Sequence, residues 1–481
     1  MKTRENIQKI KKIEEICNII KRDIISLVDT HLSPDRDQRS SSLYPNGLAT
    51  ILADAALRTR SEKTSQWIRM NAKGRNLFGT ALHPSEFSPL MWTSLYVLDE
   101  LCGFPPPEML QEKMPSPKNI LTELDYPFSN DSSYIFPFHL ACLTHLYLME
   151  GRDASHLLQM IVDHQQPDGS WIDDTTATAM SVLALQQAEI TPTYDFRNWL
   201  ENARLPDGYW AAANGEVWEA AYALRTGEVP NSAQLANVIV ECMHENYWWG
   251  FSRYSVPDAD DMSAACYVLA DHNPDLAAAA LDRLEEVQDE KGGWGAFPEI
   301  EGTIPYETVV APARESSCDI TCHAAEALER NGRKGSAFKK GIYYLLENQK
   351  HEGYWRAPWW NSDFYVTTEI IFLLKQNNFE DTVFNALDWM EKKVNSQENL
   401  NITEYALMIG AFSAEYEEYS AEYEEYSDCL DTATDKFLEK YDSESLPPTF
   451  DIIYFAGLLD LMIYRLSVML YYLRTFLRKA V

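Results

Sequence analysis

The chain has 481 residues, 46% of them apolar and 24% charged, enough to bury a large core and, by length, to form two or three domains. Asp and Glu outnumber Lys and Arg by 73 to 41. The resulting formal charge of −32 repels nucleic acid and anionic membranes, and an anionic substrate would need a local basic pocket against that field. Eight cysteines, none in a C-x-x-C pair, read as reduced thiols of a cytoplasmic protein.

Taken in chain order, the first element is a helical pattern at residues 4–31, within an N-terminus (MKTRENIQKIKKIEE) that has no apolar run of secretory type. Further helical patterns at 89–103 and 134–150 are joined by Pro-rich connections such as GFPPPEM. From there a repeat takes over. Q-x-x-x-G-x-W occurs as QQPDGSW ending at Trp171, QDEKGGW ending at Trp294 and QKHEGYW ending at Trp355. RLPDGYW, ending at Trp210, is a degenerate copy with Arg204 in the Gln place, and HENYWWG, ending at Gly250, is a weaker one.

Each copy lies between an amphipathic helix, such as LAAAALDRLEEV, and a more apolar helix opened by Ser, Thr or Asp, such as DITCHAAEALERN. An outer helix, a Gly-containing turn and an inner helix, repeated every forty to sixty residues or so, describe an α/α barrel. In the turn, Trp can link neighbouring repeats by stacking and Gln by hydrogen bonds to helix ends, a structural role. The fold class is therefore all-α with two α/α-barrel domains. Residues 1–34 form an N-terminal helix that packs on the second domain, 35–205 the first barrel and 206–481 the second. The tandem AEYEEYS copies at 414–427 read as a solvated acidic helix or loop. The apolar stretch at 452–473, broken by Asp460 and Arg465, reads as a buried helix pair rather than a membrane-dipping or spanning helix.

The segment VPDADDM places Asp258, Asp260 and Asp261 just before the helix SAACYVLA. Carboxylates suit a helix start, and an acidic cap is the plain reading. A second reading follows from the position at the end of an inner helix, where a barrel's axial cavity opens. Protonating an unactivated alkene needs an acid that is neutral beforehand and a conjugate base that is stabilised afterwards. Clustered carboxylates keep one of their number protonated, and the helix dipole favours the anion that forms later.

On these motifs the sequence resembles the squalene–hopene cyclase superfamily, which includes the class II diterpene cyclases. VPDADDMSA is similar to the family's D-x-D-D motif, and the Q-x-x-x-G-x-W turns to its barrel repeats, over about residues 165–367. The resemblance implies a βγ-type architecture in which 35–205 is γ-like and 206–481 β-like. It implies Asp260 as general acid, flanked by Asp258 and Asp261. SCDITCHAAEAL resembles the D-x-T-x-H segment of hopene cyclases, which puts His323 beside the acid and Asp319 near it. WRAPWWNSDFYVT resembles a family stretch in which Trp359 would line the pocket and Tyr365 would lie close to the acid through water. GGWGAF and EVWEAA imply Phe297 and Trp218 as further wall residues, with Phe251 a looser match. The Thr that follows D-x-D-D in the family is Met262 here, which removes a hydroxyl that could cap the helix.

Aromatic faces can stabilise a carbocation without supplying a nucleophile, each contributing roughly 1–2 kcal/mol when desolvated. That gives Trp218, Phe251, Phe297, Trp359 and Tyr365 a reason to converge. The chain has no D-D-x-x-D/E motif, so metal-assisted diphosphate ionisation is not expected and any diphosphate would be retained. No cofactor or metal is required for protonation, Mg²⁺ being at most a counter-ion of a diphosphate. Cys318, Cys322 and His323 on one helix are a weak zinc pattern.

A first domain shorter than in hopene cyclases favours a geranylgeranyl or farnesyl diphosphate substrate over a squalene-type or meroterpenoid one. Lys73, Arg75, Arg253 and Arg356 are the diphosphate candidates, each also readable as a solvated surface charge. Three other classes stay open: an α/α-barrel carbohydrate hydrolase, a zinc-dependent protein prenyltransferase subunit, and a non-catalytic isoprenoid-binding protein. The expected partner is a small-molecule isoprenoid, with no nucleic acid, no stable membrane insertion, peripheral membrane association open, and a homodimer compatible with the sequence.

Overall fold

A computed structural model describes residues 4–32, 47–59, 89–105, 111–124, 137–172, 174–204, 210, 215–253, 255–299, 314–357, 362–396, 400–414, 426–444 and 462–480. They are all-α, with only isolated bridges such as Gly250–Pro257 and Trp294–Ser317 outside the helices. Buried apolar side chains fall into two clusters. One runs from Ala49 to Trp210; the other joins Ile13–Leu32 to Val217–Leu477.

After helix α1 (Arg4–His31), the first cluster is built by α2 (Gly47–Ala56), α3 (Pro89–Glu100), α4 (Pro117–Leu124), α5 (Pro137–Met149), α6 (Ser155–Asp163), α7 (Thr175–Gln187) and α8 (Phe196–Asn202). Helix α7 packs against α2, α5 and α6, and its residues Thr175–Leu185 are buried on every side. A helix this uniformly buried carries small and apolar residues all round, as TTATAMSVLALQQ does.

The second cluster is a double ring. Its inner helices are α9 (Glu216–Arg225), α11 (Ala259–His272), α13 (Cys318–Arg330), α15 (Asp363–Gln376), α17 (Ile402–Ala414) and α19 (Met462–Ala480). Each touches the next, and α19 closes back on α9. Outside them lie α10 (Ser232–Glu241), α12 (Pro274–Glu286), α14 (Ser336–Asn348), α16 (Glu380–Val394) and α18 (Ser427–Glu444), each against its own inner partner. The sixth outer position, against α19, is filled by α1 (Arg4–His31) from the opposite end of the chain. Burial follows position. The outer helix α12 hides only the stripe Ala277, Ala280, Leu281 and Leu284, whereas α13 is buried from Cys318 to Leu328. On α1 the hidden stripe is Ile13, Ile16, Cys17, Ile20, Ile24 and Val28.

The repeated turns work differently from the expected stacking. Trp171, Trp210, Trp249, Trp294 and Trp355 each donate Nε1–H to the carbonyl ten residues upstream, at 2.7 Å, near the end of the preceding helix. A buried indole thus satisfies both itself and an orphan helix carbonyl. The Gln side chains bridge outward: Gln288 Nε2 donates to Gly292 O and to Ala337 O at the start of α14, and Gln349 Nε2 to Gly353 O and to Thr382 O in α16. Glycine is required twice over. Gly353 has φ +107°, and a Cβ there would lie 2.0 Å from the carbonyl of Asn385. In the weakest copy, Met243 stands in the Gln place and Tyr247 in the Gly place, at φ +67°. The Trp249 bond survives there, as does the turn's backbone bond from His244 N–H to Trp248 O at 2.8 Å.

Among the described residues, no helix is long and apolar enough to cross a membrane. The AEYEEYS tandem lies almost wholly outside the described residues, as does the first half of 452–473; the remainder of that stretch is in α19.

Candidate active site

Asp258 is the N-cap of α11: its backbone is extended, and its carboxylate accepts the Asp261 N–H at 2.8 Å. The acidic-cap reading therefore describes Asp258. The helix start is capped although Met262 has no hydroxyl; Met262 is fully buried in the core. Asp261 is buried beside Asp258, its Oδ1 lacking a hydrogen-bond partner. Burial and the neighbouring carboxylates push both residues' pKa upward.

Asp260 has a separate environment. Its Oδ1 lies 2.6 Å from His323 Nδ1, with 17% of its side chain exposed. Burial by itself would make His323 less basic, but the Asp260 carboxylate outweighs it and raises the imidazole to about 9. While Asp260 is ionised, both ring nitrogens carry protons at neutral pH. Nδ1–H donates to Asp260, and Nε2–H to the Tyr365 hydroxyl at 3.2 Å. Tyr365 in turn shares a 2.8 Å hydrogen bond with Tyr222, whose hydroxyl is 3.5 Å from Nε2. Asp260, His323 and Tyr365 thus form one chain by direct contact. Asp319 is buried one turn before His323, accepts from Ser317 Oγ at 2.5 Å, and is raised to about 6 by burial and by the charge of Asp260.

The aromatic rings gather around this chain. Trp218 lies 4.8 Å from Tyr222, 5.8 Å from His323 and 5.6 Å from Tyr464, and Tyr464 meets Tyr222 edge-on at 4.4 Å. Burial raises the phenols of Tyr222, Tyr365 and Tyr464 well above their usual range, so none offers a phenolate. Phe251 and Phe297 are partly buried against the same core, at helix starts. Phe251 O accepts the Val217 N–H at the beginning of α9, and Ala296 O, next to Phe297, accepts the Ala259 N–H of α11. Trp359, Lys73 and Arg75 lie outside the described residues. Arg253 pairs with Glu241 at 3.7 Å and Arg356 is largely exposed beside Asp363, so neither joins the acid.

Tyr222, Tyr464, Arg225, Glu326 and Glu369 were not singled out by motif. A signal for them exists in the helical register. Tyr222 and Arg225 follow Trp218 by four and seven, Glu326 follows Asp319 by seven, and Glu369 follows Tyr365 by four, so each lies on the same inner stripe. Arg225 donates to Glu369 at 2.7 Å and sits 3.1 Å from Glu326, forming a second, buried layer beneath the first. Among the described residues, no three His, Cys, Asp or Glu side chains are grouped to hold a metal ion.

The two helical units reproduce the fold of the class II terpene cyclases, which bears out the all-α, α/α-barrel expectation. Ent-copalyl diphosphate synthase from Streptomyces platensis matches it with a TM-score of 0.61 over 97% of this chain and 99% of that one, at 14% sequence identity, a likeness of fold. Residues 220–400 match the family model for the squalene-hopene cyclase C-terminal domain, which bears out the superfamily resemblance of the motifs. The squalene-hopene cyclase of Schizosaccharomyces japonicus is 28% identical over 126 residues, 24% of this chain and 19% of that protein. That of Alicyclobacillus acidocaldarius is 22% identical over 261 residues, 45% of this chain and 41% of its own length. The alignments thus span less than half of these curated relatives.

Proposed function

We propose that this chain is a class II terpene cyclase in which Asp260 protonates the terminal alkene of a linear prenyl diphosphate and starts ring closure through a carbocation. The observation that carries the reading is the direct chain Asp260–His323–Tyr365 at 2.6 Å and 3.2 Å, set among Trp218, Tyr222 and Tyr464. With Oδ1 occupied as an acceptor, the acidic proton belongs on Oδ2. Its departure to the alkene carbon leaves a carboxylate that His323 stabilises by a charge-assisted hydrogen bond. The neutral rings stabilise the cation and exclude water until a proton is lost from it. Asp258 and Asp261 are held close by on the same helix start.

The fold match to a copalyl diphosphate synthase across nearly the whole chain favours a geranylgeranyl or farnesyl diphosphate over squalene, with the diphosphate retained. In this reading residues 35–205 are a γ-like domain, and 206–481 with the N-terminal helix a β-like catalytic domain. Mg²⁺ would accompany the substrate's diphosphate and take no part in protonation.

The test is incubation of purified protein with farnesyl diphosphate, geranylgeranyl diphosphate and squalene, followed by mass spectrometry with and without phosphatase. A cyclic product seen only after phosphatase treatment is expected from a diphosphate substrate, and Asp260→Asn should make at least about a thousandfold less. Product from squalene alone would move the assignment to a triterpene cyclase. Full activity in Asp260→Asn would end the proposal.

A further inference from the structure

The turn that leads into the acid-bearing helix lacks a bond that the other Trp turns make. Trp171 N–H donates to Thr178 Oγ1 at 2.9 Å, Trp210 N–H to Thr50 at 3.2 Å, Trp294 N–H to Thr321 at 3.0 Å and Trp355 N–H to Thr367 at 3.1 Å. These threonines are fully buried and lie on the inner helices α7, α2, α13 and α15. Each bond therefore fastens the backbone of a turn to a helix of the inner layer. Thr50 and Thr367 also donate from Oγ1 back to the carbonyl of the same Trp, at 3.3 Å and 3.4 Å.

Helical register shows which residue faces the fifth turn. Thr178 and Thr321 each come four residues after an N-cap, Asp174 and Ser317, whose own N–H donates to the carbonyl of the matching Trp at 3.3 Å and 3.1 Å. Asp258 holds that place for Trp249: it caps α11, and its N–H donates to Trp249 O at 2.8 Å. Four residues further on stands Met262, fully buried, whose thioether is a weak acceptor. Among the described residues, no hydrogen bond runs from the Trp249 N–H, although Trp249 is fully buried. A buried N–H without an acceptor is costly, so the ring is fastened less firmly here than at the other four turns.

The weak point falls on the segment that carries Asp260. The start of α11 keeps three ties: Asp258 N–H to Trp249 O, Asp261 N–H to the Asp258 carboxylate, and Ala259 N–H to Ala296 O, each at 2.8 Å. The Thr tether that would add a fourth, two residues beyond Asp260, is absent. Proton transfer to carbon depends on the donor being held close to its productive geometry, so slack in this helix start reaches the chemistry. We propose that residue 262 is a positioning residue for Asp260, acting through the Trp249 turn, and that Met262 leaves slack a tether that threonine would close. Its effect on turnover rests on the reading of Asp260 as the acid; the tether itself does not.

Thr and Val have nearly the same shape, so comparing Met262→Thr with Met262→Val isolates the hydroxyl. Amide hydrogen exchange at Trp249, followed by NMR on protein labelled with ¹⁵N at Trp, should be at least about tenfold slower in the Thr variant. With a prenyl diphosphate substrate, kcat of the Thr variant should exceed that of the Val variant at least about threefold, with KM equal within about twofold. Equal exchange in the two variants overturns the proposal, and so does an equal kcat or a difference confined to KM. Should neither variant fold, Thr321→Val decides in the opposite sense: the Trp294 amide should exchange at least about tenfold faster than in wild type, and unchanged exchange overturns the proposal. Slower Trp249 exchange in Met262→Thr, together with a wild type that cyclises no isoprenoid, would refute the cyclase reading and leave the tether standing.

Discussion

His323 connects catalysis to stability through a single proton. Its folded-state affinity, about 9, exceeds the unfolded value of 6.5, so its contribution is fully present below pH 6.5 and is lost as pH rises through 9. Asp319 is raised from 3.8 to about 6, and for a carboxyl this sign again means stability lost with rising pH, here between about 4 and 6. Urea unfolding should therefore show wild type losing stability between pH 6.5 and pH 9.5, and His323→Gln losing a few kcal/mol less over the same interval. Equal pH dependence in the two proteins would place the titration elsewhere. Tyr365→Phe removes the acceptor of the Nε2–H bond but leaves Tyr222 at 3.5 Å, so a loss of roughly tenfold in kcat is expected, with KM little changed.

Helices and turns are tied together by the five Trp bonds, and glycine decides how closely they approach. Gly332 and Gly353 both have positive φ, +71° and +107°, but only at Gly353 would a side chain meet neighbouring backbone. Gly332→Ala should cost about 1 kcal/mol, and Gly353→Ala clearly more, since backbone strain is joined by a steric clash. Tyr247→Gly should act in the opposite direction, stabilising by roughly 0.5–1 kcal/mol, because Tyr is held at φ +67° where glycine is at ease. Chemical denaturation of the three variants ranks them directly.

The barrel is closed by two segments more than four hundred residues apart in sequence. Helix α1 lays its isoleucine stripe on α19, and Lys9–Asp435, Lys12–Asp442 and Lys21–Glu228 bind it at the rim. Exposed pairs of this kind contribute little; the buried Ile13, Ile16, Ile20 and Ile24 contribute roughly 2 kcal/mol each. Removal of residues 4–31 should therefore do more than shorten the chain. It should expose the outer face of α19, which carries Tyr464 into the site, and abolish cooperative unfolding as followed by calorimetry. Charge neutralisation of the three lysines should lower Tm by only a few degrees.

Local pattern determined much of this protein. Helical periodicity separated inner from outer helices, Q-x-x-x-G-x-W marked the turns, and VPDADDM located the carboxylate cluster, because each of these signals is carried by neighbours in sequence. Tertiary structure decided what the same residues do. The three aspartates divide into a cap, Asp258, a buried neighbour, Asp261, and a histidine-bound carboxyl, Asp260, and that division depends on where α13 places His323. The sixth outer helix drawn from the N-terminus and the Arg225–Glu326–Glu369 layer both join segments that no short-range pattern relates. A helix face can be read from spacing of residues along one helix, but which faces meet is settled only when the ring closes.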